Sequence, residues 1–172
     1  MRHLPLYLLV LFSLFLSSCS KTPPAALRIG INAWPGYEYL TLADQLGYYK
    51  DEGLKVKLIP FQTLADGRRA FEKGHIDIMA GTLMELYSAR EVTGINPVVF
   101  LVADFSNGGD MLLAHKDIVN VAGLKGKKLG LEAGSVDVLT AASALASAQL
   151  SFNDVTLVSL PQPNNVKALL AG

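Results

Sequence analysis

LRIGINAWPGYEYLTLADQLGYYKDEGLKVKLIP, residues 27–60, decides the fold. Ile29 and Ile31 alternate with polar or small neighbours, the period-two pattern of a strand. Leu40, Ala43, Leu46 and Tyr49 then recur at helical spacing, with Gly47 placed to end the helix. Leu54, Val56 and Leu58 alternate once more and stop at Pro60. Strand, helix and strand thus follow one another with short connections, the rhythm of a βα unit.

The rhythm continues downstream. Leu64 to Lys73 reads as a second helix closed by Gly74, and Ile76 to Ala80 as a third strand. Thr82-Leu83-Met84-Glu85 has capping-box spacing, in which the Thr82 hydroxyl and Glu85 carboxylate satisfy amides left free at a helix start; that helix is expected to run to Val92. Val98 to Val102 is a continuous apolar run, expected as a strand covered on both faces. Met111 to Ala114 reads as a further short strand, and Val119 to Leu124 leads through Gly126-Lys127-Lys128 into a strand ending at Leu131. Ser135 is placed to cap an alanine-rich helix reaching Gln149, followed by a strand over Thr156 to Leu160 and a helix over Val166 to Ala171.

Alternation of this kind implies an α/β fold with parallel sheets and right-handed crossovers. Ligands of such sheets sit at the carboxyl ends of the strands. The loops expected there are Asn32 to Tyr37, Gln62-Thr63, Gly81-Thr82 and Asp104 to Gly109, all opening on one edge. The final helix closes on Ala168-Leu169-Leu170-Ala171-Gly172, matching Ala70 to Gly74 in the first half, where a strand follows. The sheet pattern therefore reads as C-terminally truncated.

Upstream, a basic start (Met1, Arg2, His3), an apolar run from Leu4 to Leu16 and Leu16-Ser17-Ser18-Cys19 read as an export signal with a cleavage site. The apolar run is shorter than the roughly 20 residues a membrane-crossing helix needs. Cys19 is the only cysteine in the chain. Lys21 to Ala26 carries two prolines and reads as an extended spacer. Formal net charge is zero, with 15 basic and 15 acidic residues. Without a basic cluster longer than Lys127-Lys128, nucleic acid and anionic membrane surfaces are not expected as partners.

The segments RIGINAWPGYE, LADQLGYYKDEGL, HIDIMAGT, SNGGDMLLAHKD and LKGKKLGLEAGS together resemble the periplasmic substrate-binding proteins of ABC transporters, in the branch that includes sulfonate, taurine, nitrate and thiamine-precursor binders. The resemblance runs from about Leu27 to Gly172. It implies the two-lobe, type II binding-protein architecture, closing on a small ligand, with the first lobe mostly present and the second incomplete. On that reading residues 1–18 are a lipoprotein signal peptide, 19–26 a tether lipidated at Cys19, 27–106 the first lobe, 107–116 hinge and crossover, and 117–172 the start of the second lobe.

Carried over position by position, the resemblance implies ligand contacts at Trp34, Pro35, Gly36 and Tyr37, at Gly81 and Thr82, at Asn107, Gly109 and Asp110, and at Gly134 and Ser135. Independently, the helix starts at Thr82 and Ser135 present free N–H groups and partial positive charge, which suit an anionic group. Arg68, Arg69 and Arg90 fall on helices, so a forked arginine clamp is not expected in the loops. Other readings of these residues stand beside this one: Trp34 as a core plug over a stiff turn, Thr82 and Ser135 as helix caps alone, and Asp110 as a hinge brace.

The implied function is a lipid-tethered solute receptor in the periplasm or on the cell surface that hands its ligand to an ABC permease. No metal or cofactor is implied, because His75 and His115 have no partner at ligand spacing. Neither a nucleophile elbow nor a phosphate loop occurs, so no enzyme chemistry is expected. An extracytoplasmic sensor domain is the alternative, followed by an enzyme of the thiamine-pyrimidine or menaquinone type sharing the fold.

Overall fold

The computed structural model describes residues 25–172. The signal peptide, the lipidation site at Cys19 and the tether up to Pro24 lie outside the described residues.

β1 (Leu27–Ile31) runs between β2 (Val56–Pro60) and β3 (Ile78–Met79) in a parallel sheet of order β2-β1-β3. Leu27 pairs with Val56 and Ile31 with Pro60 on one side, and Ile29 with Ile78 on the other. The connections carry α1 (Glu38–Gln45), α2 (Tyr48–Asp51) and α3 (Leu64–Glu72), and α4 (Leu83–Thr93) follows β3. Gly47, at φ 78°, divides the helix expected over Leu40 to Tyr49 into α1 and α2, a left-handed backbone that a β-carbon would strain. Ile29, Ala65, Ala70, Ile76 and Ala89 are buried between this sheet and its helices.

A second parallel sheet pairs β4 (Lys128–Leu131) with β5 (Thr156–Ser159). α5 (Val136–Ser147) makes the crossover, and α6 (Asn165–Ala171) follows β5. Leu129, Leu131, Ala141 and Leu145 form its core, with Val138, Phe152 and Val155 packed against them. α4 packs on α5, which joins the two halves. Among the described residues no helix is long and apolar enough to cross a membrane.

Two expected strands are corrected. Val98 to Val102 and Met111 to Ala114 form no strand, and their side chains are exposed, Val98 at 81% and Phe100 at 72%. A strand needs a neighbouring backbone to take its N–H and C=O groups. β3, expected over Ile76 to Ala80, pairs only at Ile78–Met79. Apolar composition registers a tendency to be covered, not the presence of a partner.

Candidate functional site

The carboxyl ends of β1, β2 and β3 meet at a shallow crevice lined by Gly30, Asn32, Phe61, Thr63, Met79 and Ala80, with no enclosed volume for a small molecule. Beyond Asn32 the chain turns through a 3-10 segment, Pro35–Tyr37, with Pro35 at its first position. A proline has no N–H to leave unsatisfied there, and its fixed φ suits a helical start. The Tyr37 N–H donates to the Trp34 carbonyl at 3.0 Å.

This turn meets the segment after α4. The indole N–H of Trp34 donates to Asp104 Oδ2 at 2.8 Å. Gly36 is buried where any β-carbon would collide with the Asp104 carboxylate. A β-carbon on Gly109 would stand 2.7 Å from Trp34 Cη2, so the missing side chain is what lets the indole lie there. Tyr37 is 8% exposed, and its hydroxyl is pushed up to about 12, by burial first and then by the charges of Glu85 and Asp104. At neutral pH it is therefore a hydrogen-bond donor. Asn107 and Asp110 are exposed, as is the whole of 101–110, and Asp110 accepts a 3.4 Å hydrogen bond from Ser106 Oγ.

At the start of α4 the expected capping box is present. Thr82 Oγ1 accepts the Met84 N–H at 3.1 Å, and Glu85 Oε2 accepts from the Thr82 N–H at 2.8 Å and from its hydroxyl at 2.6 Å. Gly81 precedes it, where a β-carbon would stand 2.8 Å from Met79 Cε. Glu85 is 2% exposed and lies close enough to Tyr37 for its charge to act on the phenol.

The second sheet reaches the first at the carboxyl end of β4. Gly134, at φ 78°, turns the chain so that Ser135 caps α5, its Oγ accepting the Asp137 N–H at 3.2 Å and donating to the Glu132 carbonyl at 3.0 Å. Glu132, one residue past β4, crosses back to the first half: its Oε1 accepts the Ala65 N–H in the first turn of α3 at 2.9 Å, and Oε2 accepts from Gln162 N at 3.4 Å. Burial raises its carboxyl above the ordinary range, the two N–H donors pull it down, and the charges of Asp137 and Glu85 raise it further. Arg68, expected only as a helix residue, ion-pairs with Glu72 and brings its guanidinium 3.5 Å from where a Gly134 β-carbon would be.

The structure therefore brings Trp34, Gly36 and Gly109 together with Asp104, sets the capping box of Thr82 and Glu85 near enough to Tyr37 for its charge to act there, and links the Ser135 cap through Glu132 to the start of α3. Glu132 and Arg68 were not expected at the rim. The available signal for Glu132 is a lone carboxylate in the middle of LGLEAGS, directly after the apolar Leu129 to Leu131. Among the described residues no group of three or more His, Cys, Asp or Glu side chains is placed to hold a metal ion.

Among solved structures, the chain is similar to the alkanesulfonate-binding protein SsuA from Xanthomonas axonopodis pv. citri bound to MOPS, with TM-score 0.60 and 22% identity over 88% of this chain and 53% of that one. The periplasmic aliphatic sulphonate binding protein SsuA from Escherichia coli is alike at TM-score 0.59 and 23% identity, over 87% of this chain and 52% of that one. The chain thus spans about half the length of these binding proteins, whose fold it shares over that span. No curated protein matches it. A family model described as NMT1/THI5 like matches residues 34–172, from the Trp34 turn through both sheets. The chain belongs to the NMT1/THI5-like family.

Proposed function

We propose that this chain is a solute-binding component of an ABC importer, holding a small polar organic or anionic ligand of the sulfonate, taurine, nitrate or thiamine-precursor kind and passing it to a membrane permease. The observation that carries the reading is the Glu132–Ala65 hydrogen bond, which brings the carboxyl end of β4 in the second sheet to the start of α3, just past the carboxyl end of β2 in the first. Binding proteins alike in fold include one solved with MOPS and one titled as binding aliphatic sulphonates, which supports a sulfonate-like ligand.

In this reading residues 27–106 make one lobe, 107–116 the hinge and 117–172 part of the other. Trp34, Pro35, Gly36, Tyr37, Gly81, Thr82, Asn107, Gly109, Asp110, Gly134 and Ser135 line the cleft. Export, cleavage after Ser18 and lipidation of Cys19 hold the receptor in the periplasm or on the cell surface. The side chains bind and orient; none performs covalent chemistry. A thermal-shift and calorimetric screen with sulfonates, amino-sulfonates, nitrate and pyrimidines tests it. Saturable binding that Trp34→Ala weakens supports the reading, and no binding by any of these compounds overturns it.

A further inference from the structure

Val98, Val99, Phe100, Leu101 and Val102 are exposed, and so is Phe105 beyond them, at 89%. No charged residue falls between Glu91 and Asp104. Among the described residues the backbone from 96 to 103 makes no backbone hydrogen bond, so its N–H and C=O groups stand as unpartnered as its side chains. With rings of about 150–250 Å² at Phe100 and Phe105, these residues expose on the order of 800 Å², most of it apolar. The largest apolar patch of an ordinary monomer is only roughly 300–600 Å².

The stretch has defined ends. Pro97 has no N–H to offer a neighbouring strand, so a ladder can start only after it. At the other end Asp104 is held by the Trp34 indole at 2.8 Å. Between them lie valines, a phenylalanine and a leucine over about the length of an ordinary strand. Nothing in the run offers charge for an oppositely charged partner to read. What it complements is another uncharged, strand-prone backbone, and a second copy supplies that backbone at equal concentration.

We propose that a second copy of this chain covers the run, the two copies pairing antiparallel about Phe100. In that register Phe100 meets Phe100, Val98 meets Val102, Val99 meets Leu101 and Phe105 falls opposite Ile95. Asp104 lies across from Asn96, so no like charges are opposed. Each copy takes up the other's N–H and C=O groups, and because the same patch serves on both sides the contact closes at two copies. The exposed surface matches the about 800 Å² that each partner of a specific dimer buries. A two-stranded ribbon is marginal by itself, so the association is weak, with Kd on the order of 10 μM, and in more dilute chain the run stays in solvent. None of these residues lines the strand-end crevice, so self-association is measured apart from ligand binding.

Sedimentation equilibrium of the full chain, from about 1 to about 200 μM, tests this. The wild type is expected to pass from monomer to dimer across that range. Phe100→Lys and Phe100→Asp, each checked for folding by circular dichroism, should each weaken association on the order of tenfold or more, and an equal mixture of the two should restore it, because opposite charges then meet across the pair. Val99→Lys serves as a further variant should either fail to fold. Leu170→Lys, at an exposed apolar position on α6, should leave the dimer unchanged. Residues 1–24 are common to every sample, so association that the substitutions at Phe100 or Val99 leave unchanged overturns the inference. Equal weakening by Leu170→Lys, or a mixture that associates no better than its components, does so too. A chain that stays monomeric to about 200 μM overturns it as well, and protected 98–102 amides in that monomer would assign the cover to the chain's own fold.

Discussion

Trp34 and Asp104 lie 70 residues apart in sequence and are joined by a 2.8 Å hydrogen bond from the indole N–H to Oδ2. That bond is the anchor by which the unpaired segment after α4 is held against the turn after β1. Trp34→Phe keeps the ring and removes the donor, so it is expected to lower stability by only about 0.5–1.5 kcal/mol. Amide hydrogen exchange in residues 103–110 should quicken more than in β1. Trp34→Ala also removes the ring, and in the receptor reading should weaken ligand binding by on the order of tenfold, about 1.4 kcal/mol, by calorimetry.

Glu132 makes stability depend on pH in an unusual direction. Its folded-state carboxyl is raised by burial, so between the ordinary glutamate value and the raised one the folded chain binds more protons than the unfolded chain. Stability contributed by this group is thus present at low pH and falls as pH rises through that window. Urea melts across pH 4–7 should show that the wild type loses stability relative to Glu132→Gln as pH increases. Glu132→Ala, which strands the buried Ala65 N–H, should cost about 1–3 kcal/mol at any pH in this range.

How far the fold and the rim were legible follows from how local each signal is. Ile29 and Ile31, the Gly47 break, and the Thr82 and Ser135 caps are written within a few residues of where they act, and they stand where the sequence pattern puts them. The capping box needs only a threonine and a glutamate three apart. Glu132 is different, because its partner Ala65 lies 67 residues earlier and no local period announces the meeting. Arg68 likewise has helical spacing but reaches the Gly134 turn only once the two sheets are placed. Val98 to Val102 misleads for the same reason in reverse: five apolar residues satisfy the composition of a strand, while the ladder partner is a non-local fact.

Arg28 and Asp77 tie the amino end of β1 to the entry of β3, since Asp77 Oδ2 accepts both the Arg28 N–H at 2.8 Å and its Nε at 2.9 Å, and Oδ1 accepts Nη2 at 2.7 Å. The Asp77 carboxyl is held down to about 2, first by the guanidinium hydrogen bonds and then by the backbone N–H. A depressed carboxyl contributes stability above its unfolded value and loses it as pH falls toward the folded one. Asp77→Asn is therefore expected to flatten the acid limb of the stability profile between about pH 4 and pH 2. Both side chains are 38% exposed, so salt should shrink the difference. A wild type and variant that lose stability in parallel on acidification would contradict this.

Val99 provides the sharpest check on the corrected strand. It is 53% exposed, and its neighbours Val98, Phe100, Leu101 and Val102 are exposed as well. Were this run a central strand covered on both faces, Val99→Lys would bury an unpaired ammonium and remove packed methyl groups, costing about 2 kcal/mol or more. With the side chain in solvent the same change should stay within about 0.5 kcal/mol in a urea melt. An exposed apolar run of high β-propensity also pairs readily with its like, so the added charge should slow thioflavin-positive aggregation on prolonged incubation. Stability and aggregation then move independently, which a buried strand would not allow: there the lysine would unfold the sheet and expose more apolar chain, speeding aggregation as it lowered the melting midpoint.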